Sequence, residues 1–129
     1  MLADMGSRNP RQIAEIAIKV LDDHKAEDIR CLDVAHLTSM MDFMIVATGR
    51  SDRHVRALGD ALLNYCKEND IDVLGSEGQE SAEWLLVDLV DVVVHIMLPR
   101  TREFYEIEKL WDLTPRRDDD ANRGRIGVR

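Results

Sequence analysis

The chain has 129 residues, 45% of them hydrophobic, and a formal net charge of -8. That length suits one domain, which buries roughly two-thirds of the surface its unfolded chain exposes, so no metal or disulfide is needed to hold it together. The acidic balance excludes adhesion to phosphate backbones or anionic lipid through bulk charge and favours a basic protein as partner.

The longest apolar runs are of strand length, too short to span a membrane. Cys31 and Cys66 stand far apart without C-x-x-C spacing, as free thiols in a reducing cytosol do. The opening MLADMGSRNP has neither an apolar signal core nor an Arg-rich amphipathic pattern, so a cytoplasmic location is expected.

Residues 1–9 show no periodicity and read as a disordered lead, closed by a helix cap at Asn9 with Pro10 in the first turn. Ile13, Ile16, Ala17, Val20 and Leu21 then mark one helical stripe, running to about Lys25. Ile29–Val34 has strand character and AHLTSMMD is a loop. FMIVAT, Phe43–Thr48, is apolar throughout, as a central strand covered on both faces would be. Gly49 breaks it, and Ser51 or Asp52 caps a second helix with Val55, Leu58, Leu62 and Tyr65 on one side.

Asp72–Leu74 is expected as a short strand, and GSEGQES as a turn-rich loop. Trp84–Asp88 and Val92–Leu98 are strands joined by a tight turn, Pro99 stops the second, and a last helix carries Phe104, Ile107, Leu110 and Trp111 at helical spacing. The domain therefore spans residues 10–113, and residues 114–129, with alternating blocks of charge, read as a flexible tail. The fold class is α/β: a single mixed β-sheet with flanking helices. The strand–helix–strand order in the middle requires at least one parallel pair.

Several groups invite a chemical reading. Asp88 and Asp91 interrupt a hairpin and have the carboxylate chemistry of a Mg²⁺ site. No basic residue flanks them to hold a phosphate, so the acids read as the turn itself. TGRSDRH, Thr48–His54, is a strand–Gly–Ser–helix junction of the kind that binds anions. It lacks both G-x-x-x-x-G-K-[ST] and G-x-G-x-x-G, and the following strand offers only Asp72 as a catalytic acid. His24, His36, His54 and His95 have no metal-ligand spacing. No catalytic residue, metal or cofactor is expected.

Trp84 leaves two readings open. In EWLLVD, Glu83, Leu85 and Val87 alternate with Trp84, Leu86 and Asp88, so both strand faces are partly apolar. One set fills the core, and the other lies against something else. A chain with only 5% aromatics places Trp84, Phe104, Tyr105 and Trp111 close together, beside the acids Glu77, Glu80 and Glu83. Trp and Tyr are enriched where binding energy concentrates, so this C-terminal third reads as an interaction surface.

The segments DFMIVATGRSDRH, EGQESAEWLLVDLVDVVVHIM and YEIEKLW resemble the ribosomal silencing factors, also called RsfS, YbeB or Iojap proteins, over roughly Ile13 to Asp112. The resemblance implies a nucleotidyltransferase-like fold lacking the catalytic acids, and a protein that is not an enzyme. It implies binding to the large ribosomal subunit through a basic ribosomal protein, number fourteen, on the subunit interface. Bound there, the family blocks joining of the small subunit and represses translation; organelle members act in large-subunit assembly. Carried over, the partner-binding residues are Glu77, Glu80, Trp84, Tyr105, Leu110 and Trp111. Neither sequence-specific nucleic acid nor a membrane is an expected partner, and a homodimer is compatible with the reading. One departure is Val90, where the family often has Gly in the hairpin turn. The competing reading is a nucleotide-binding or nucleotidyltransferase-like enzyme using Gly49–Ser51 with Asp72 or Asp88.

Overall fold

The structure, a computed structural model, describes residues 8–112 and 125–126, with side chains described through residue 109. Helix α1 covers Pro10–Asp23, followed by strands β1 at Glu27–Asp33 and β2 at Phe43–Thr48. Helix α2 covers Asp52–Glu68, and β3 (Gly75–Glu77), β4 (Trp84–Asp88) and β5 (Val92–Met97) follow. Helices α3 (Pro99–Tyr105) and α4 (Ile107–Asp112) and a two-residue β6 (Arg125–Ile126) complete the order. The strands form one six-stranded mixed sheet in the order β3-β4-β5-β2-β1-β6. The expected parallel pair is β2 with β5; the other ladders are antiparallel.

Local chemistry explains the helix starts. Asn9 and Gln12 cap one another, the Asn9 side chain accepting from the Gln12 amide at 2.8 Å and the Gln12 side chain from the Asn9 amide at 2.9 Å. Ser51 caps α2 by accepting from the His54 amide at 3.1 Å. The buried side of α1 is Ala14, Ala17, Ile18, Val20 and Leu21. Ile13 and Ile16 lie only at its margin, so the apolar stripe is rotated from the expected one. On α2, Tyr65 is exposed, and Gly59 and Cys66 complete the buried side instead.

All six residues of β2 are buried. Phe43, Ile45 and Ala47 join the main core beneath α1 and α2, while Met44 and Val46 join a smaller cluster on the opposite face. Among the described residues, that second face is covered by the loop carrying Leu37 and Met41 and by Ile107 and Trp84. Among the described residues, no helix is long and apolar enough to cross a membrane.

Three expectations change. Asp72–Leu74 is not a strand: Leu74 is 73% exposed, and the ladder with β4 begins at Gly75 opposite Asp88. The apolar letters there misled because the chain is still crossing from α2 to the sheet edge; an edge strand bonded on one side can be the polar Gly-Ser-Glu. The last helix is two helices, turned at Glu106, whose φ of 48° is left-handed. Within the stretch read as a charged tail, Arg125 and Ile126 pair with Leu32 and Cys31 of β1, giving partners to a strand that would otherwise end the sheet.

The hairpin turn between β4 and β5 carries Val90 at φ 76°. A β-branched residue in that region costs about 1–3 kcal/mol. Asp88 holds the turn by accepting from the Val90 amide at 2.9 Å. Val90 is itself exposed, so removing its side chain forfeits little burial. Val90→Gly is expected to stabilise the fold by about 1 kcal/mol and raise the thermal midpoint by about 3–5 °C, read by calorimetry.

Candidate partner-binding surface

Strand alternation sorts the residues of β4. Leu85 and Val87 are buried in the helix-covered core, and Trp84, Leu86 and Asp88 stand half-buried on the opposite face. On that face Trp84 is paired with Met97 and Leu86 with His95. Trp84 is therefore neither core nor fully free: its ring edges the small cluster of Leu32, Val34, Met44, Val46, Met97 and Ile107.

The indole is fixed from two directions. Its Nε1–H donates to His95 Nδ1 at 3.0 Å, with ring centroids 6.0 Å apart. Tyr105 lies 5.0 Å away, centroid to centroid, in a tilted pair, and Phe104 meets Tyr105 edge-on at 4.9 Å. Tyr105 is 53% exposed and Phe104 78% exposed. The three rings form a continuous run from the sheet out to solvent, and aromatic pairs of this kind contribute about 0.5–1.5 kcal/mol each beyond burial.

The helix corner that presents Tyr105 and Phe104 is tied down by Arg102, which is 7% exposed. Its guanidinium donates to both carboxylate oxygens of Glu108, at 3.2 and 3.0 Å. It also donates to the Asp28 carbonyl at 2.7 Å and the Thr48 hydroxyl at 2.8 Å. Asp28, at φ 48°, sits where the β1–β2 register slips between Glu27 and Arg30. A β-bulge there turns the carbonyl toward the arginine.

The acidic loop is built just as specifically. Gly78 has φ 97°, and a Cβ there would collide with the Trp84 carbonyl oxygen, so only glycine lets the loop fold back onto the start of β4. Arg56 of α2 donates to the carbonyls of Gln79 and Glu80 at 3.0 and 2.6 Å, and Gln79 donates to the Ser76 hydroxyl at 2.7 Å. With the backbone held from inside, Glu77, Glu80 and Glu83 are left exposed. Glu77 lies opposite Leu86, in the same cross-sheet row as His95.

The family model described as "Ribosomal silencing factor during starvation" matches residues 7–127. The chain belongs to the ribosomal silencing factor family. A ribosomal silencing factor from Chromobacterium violaceum is 52% identical over 101 residues, covering 78% of this chain and 83% of that one. A crystal structure from the same organism superposes with a TM-score of 0.80 at 47% identity, over 85% of this chain and 92% of that one. The mouse protein named for mitochondrial assembly of the ribosomal large subunit is 33% identical over 102 residues, 77% of this chain and 45% of its own length.

Of the six residues singled out as partner-binding, the structure brings Trp84 and Tyr105 into contact and places Glu77 at the end of β3 and Glu80 on the loop leading into Trp84. The backbones of Leu110 and Trp111 belong to α4, and their side chains lie outside the described residues. Sequence reasoning missed Arg56, Arg102 and the acceptor role of His95; an isolated arginine gives no local sign of what it will reach across the fold. At Thr48–His54 the helix start is already satisfied internally. Ser51 takes the His54 amide, Asp52 the Arg53 amide and His54 Nδ1 the Arg50 amide, so the free N–H groups of a phosphate cradle are taken up. Among the described residues, no group of three or more His, Cys, Asp or Glu could hold a metal ion.

His95 must be neutral to accept from the indole, with its proton on Nε2, and burial lowers its pKa to about 4. The unfolded chain binds that proton near pH 6.5, so this residue contributes no penalty above pH 6.5. As pH falls from there toward 4, protons favour the unfolded state. Comparing wild type with His95→Leu in denaturant titrations from pH 7.5 to 4 isolates the effect from titrating carboxylates. Wild type is expected to lose stability relative to the variant by on the order of 3 kcal/mol across that window; parallel curves would show that His95 carries no such linkage.

Proposed function

We propose that this protein silences ribosomes by binding the large subunit at its interface, through basic ribosomal protein number fourteen, and so blocks joining of the small subunit. The observation carrying this reading is the ring series Trp84–Tyr105–Phe104, exposed outward beside an acidic loop held by Arg56. An apolar anchor flanked by carboxylates suits a basic protein surface: the charges speed encounter, and the rings set residence time. The family name and the mouse relative's printed role in large-subunit assembly support the same target. The mechanism needs no chemical step, since a folded body seated between the subunits excludes one of them by volume. This reading places the protein in the cytoplasm and makes it a regulator rather than an enzyme.

The test is sedimentation of the purified protein with large subunits, small subunits and joined ribosomes. The protein should travel with large subunits and reduce their joining to small ones. Trp84→Ala should weaken binding by about 2 kcal/mol or more, close to 30-fold, as hot-spot truncations do. Phe104→Ala, at a side chain too exposed to support the fold, should weaken binding with an unchanged melting curve. Wild type that stays at the top of every gradient would refute the reading.

A further inference from the structure

A second charged surface lies beside the aromatic one. The row Glu27, Thr48, Met97, Trp84 crosses the sheet at one end. From that end the chain leaves β2 at Arg50, enters α2 at Arg53, leaves β5 toward Arg100 and enters β1 just after Lys25. His54 fastens these segments together. Its Nδ1 accepts from the Arg50 amide at 2.9 Å, so its Nε2 carries the proton and donates to the His24 carbonyl at 3.0 Å. The Gly49 amide donates to the Met97 carbonyl at 3.0 Å, bringing the Arg50 turn against the start of α3.

Lys25, Arg50, Arg53 and Arg100 are all exposed, and none forms an ion pair among the described residues. Nearby acids are largely committed elsewhere, Asp52 to Arg56 and Asp28 to Arg30 and Arg102; Glu27 and Glu103 are exposed. In a chain with net charge -8, four unpaired cations gathered at one end are a local reversal of sign. Along that same end the charge changes from acidic, at the Glu77–Glu83 loop, to basic, at Arg50 and Lys25.

We infer that the cluster of Lys25, Arg50, Arg53 and Arg100 binds the phosphate backbone of RNA on the large subunit, next to the basic protein held by Trp84 and the acidic loop. This rests on the large-subunit reading above. Loose arginines suit phosphate oxygens, and a backbone contact needs no base sequence. The overall negative charge keeps free RNA from competing, so the contact forms only when the aromatic anchor has fixed the orientation.

The test uses the full chain and purified large subunits. Arg50→Ala with Arg53→Ala should fold like wild type, weaken binding about tenfold at low salt, and make the log–log salt dependence shallower by about 1–2 units. A photo-crosslinker carried on Arg50→Cys should label RNA. Cys31 and Cys66 are buried, with thiol pKa values raised by burial, so the new thiol is the reactive one. An unchanged salt slope, or label found only on protein, overturns the RNA contact while leaving Trp84-dependent binding, and hence the larger reading, in place. Loss of all binding by wild type overturns both.

Discussion

A buried guanidinium holds in shape the helix corner that presents Tyr105 and Phe104. Helices α3 and α4 have only seven and six residues, far short of what is stable alone in water. Leu98 gives α3 no side-chain cap. Arg102 replaces that missing stability by joining Glu108 on α4, the bulged Asp28 on β1 and Thr48 at the end of β2. Such a pair adds little against an apolar alternative, but removing one partner strands the other charge and typically costs about 3–5 kcal/mol. Its value here is geometric. A planar fork with five donors fixes two helices and two strands at one corner, which a lysine's single ammonium could not do.

That corner explains which parts of the fold were legible in sequence. Asn9, Ser51 and the apolar run of β2 act locally, through caps and burial, and local chemistry is written in neighbouring letters. The hairpin of β4 and β5 was equally readable, because period-two alternation survives whatever covers the sheet. The break at Glu106 was not: Phe104, Ile107 and Leu110 keep helical spacing across it, and the reason for the turn is a contact between Arg102 and residues more than fifty positions away. The stretch Asp72–Leu74 failed for the opposite reason. Its letters favour a strand, but only its last residue meets β4, through the Leu74 amide on the Asp88 carbonyl at 2.8 Å, and the ladder proper starts at Gly75; pairing outranks propensity.

Trp84 shows why composition alone left two readings standing. A side chain half inside a small cluster satisfies both descriptions, and its energetic use follows from that position. His95 and Tyr105 hold the indole in the free protein, so on the proposed reading less side-chain entropy is lost on binding than for a free tryptophan. Phe104, with most of its ring in water, would on the same reading carry the larger hydrophobic gain. The loop beside them is arranged likewise, since Arg56 binds backbone carbonyls and leaves the Glu80 and Glu83 carboxylates exposed.

The segregation of charge follows the same logic at larger scale. A protein with net charge -8 approaching a surface rich in phosphate is repelled in most orientations. On the proposed reading, the acidic loop settles where a basic protein interrupts that surface, and the basic flank where phosphate resumes. Like charges brought together in any other orientation cost several kcal/mol. On the proposed reading the two patches act as a register, each rejecting the site the other needs, with Trp84 at the boundary between them. Specificity of this kind comes as much from the orientations that repulsion excludes as from the attraction in the one it permits.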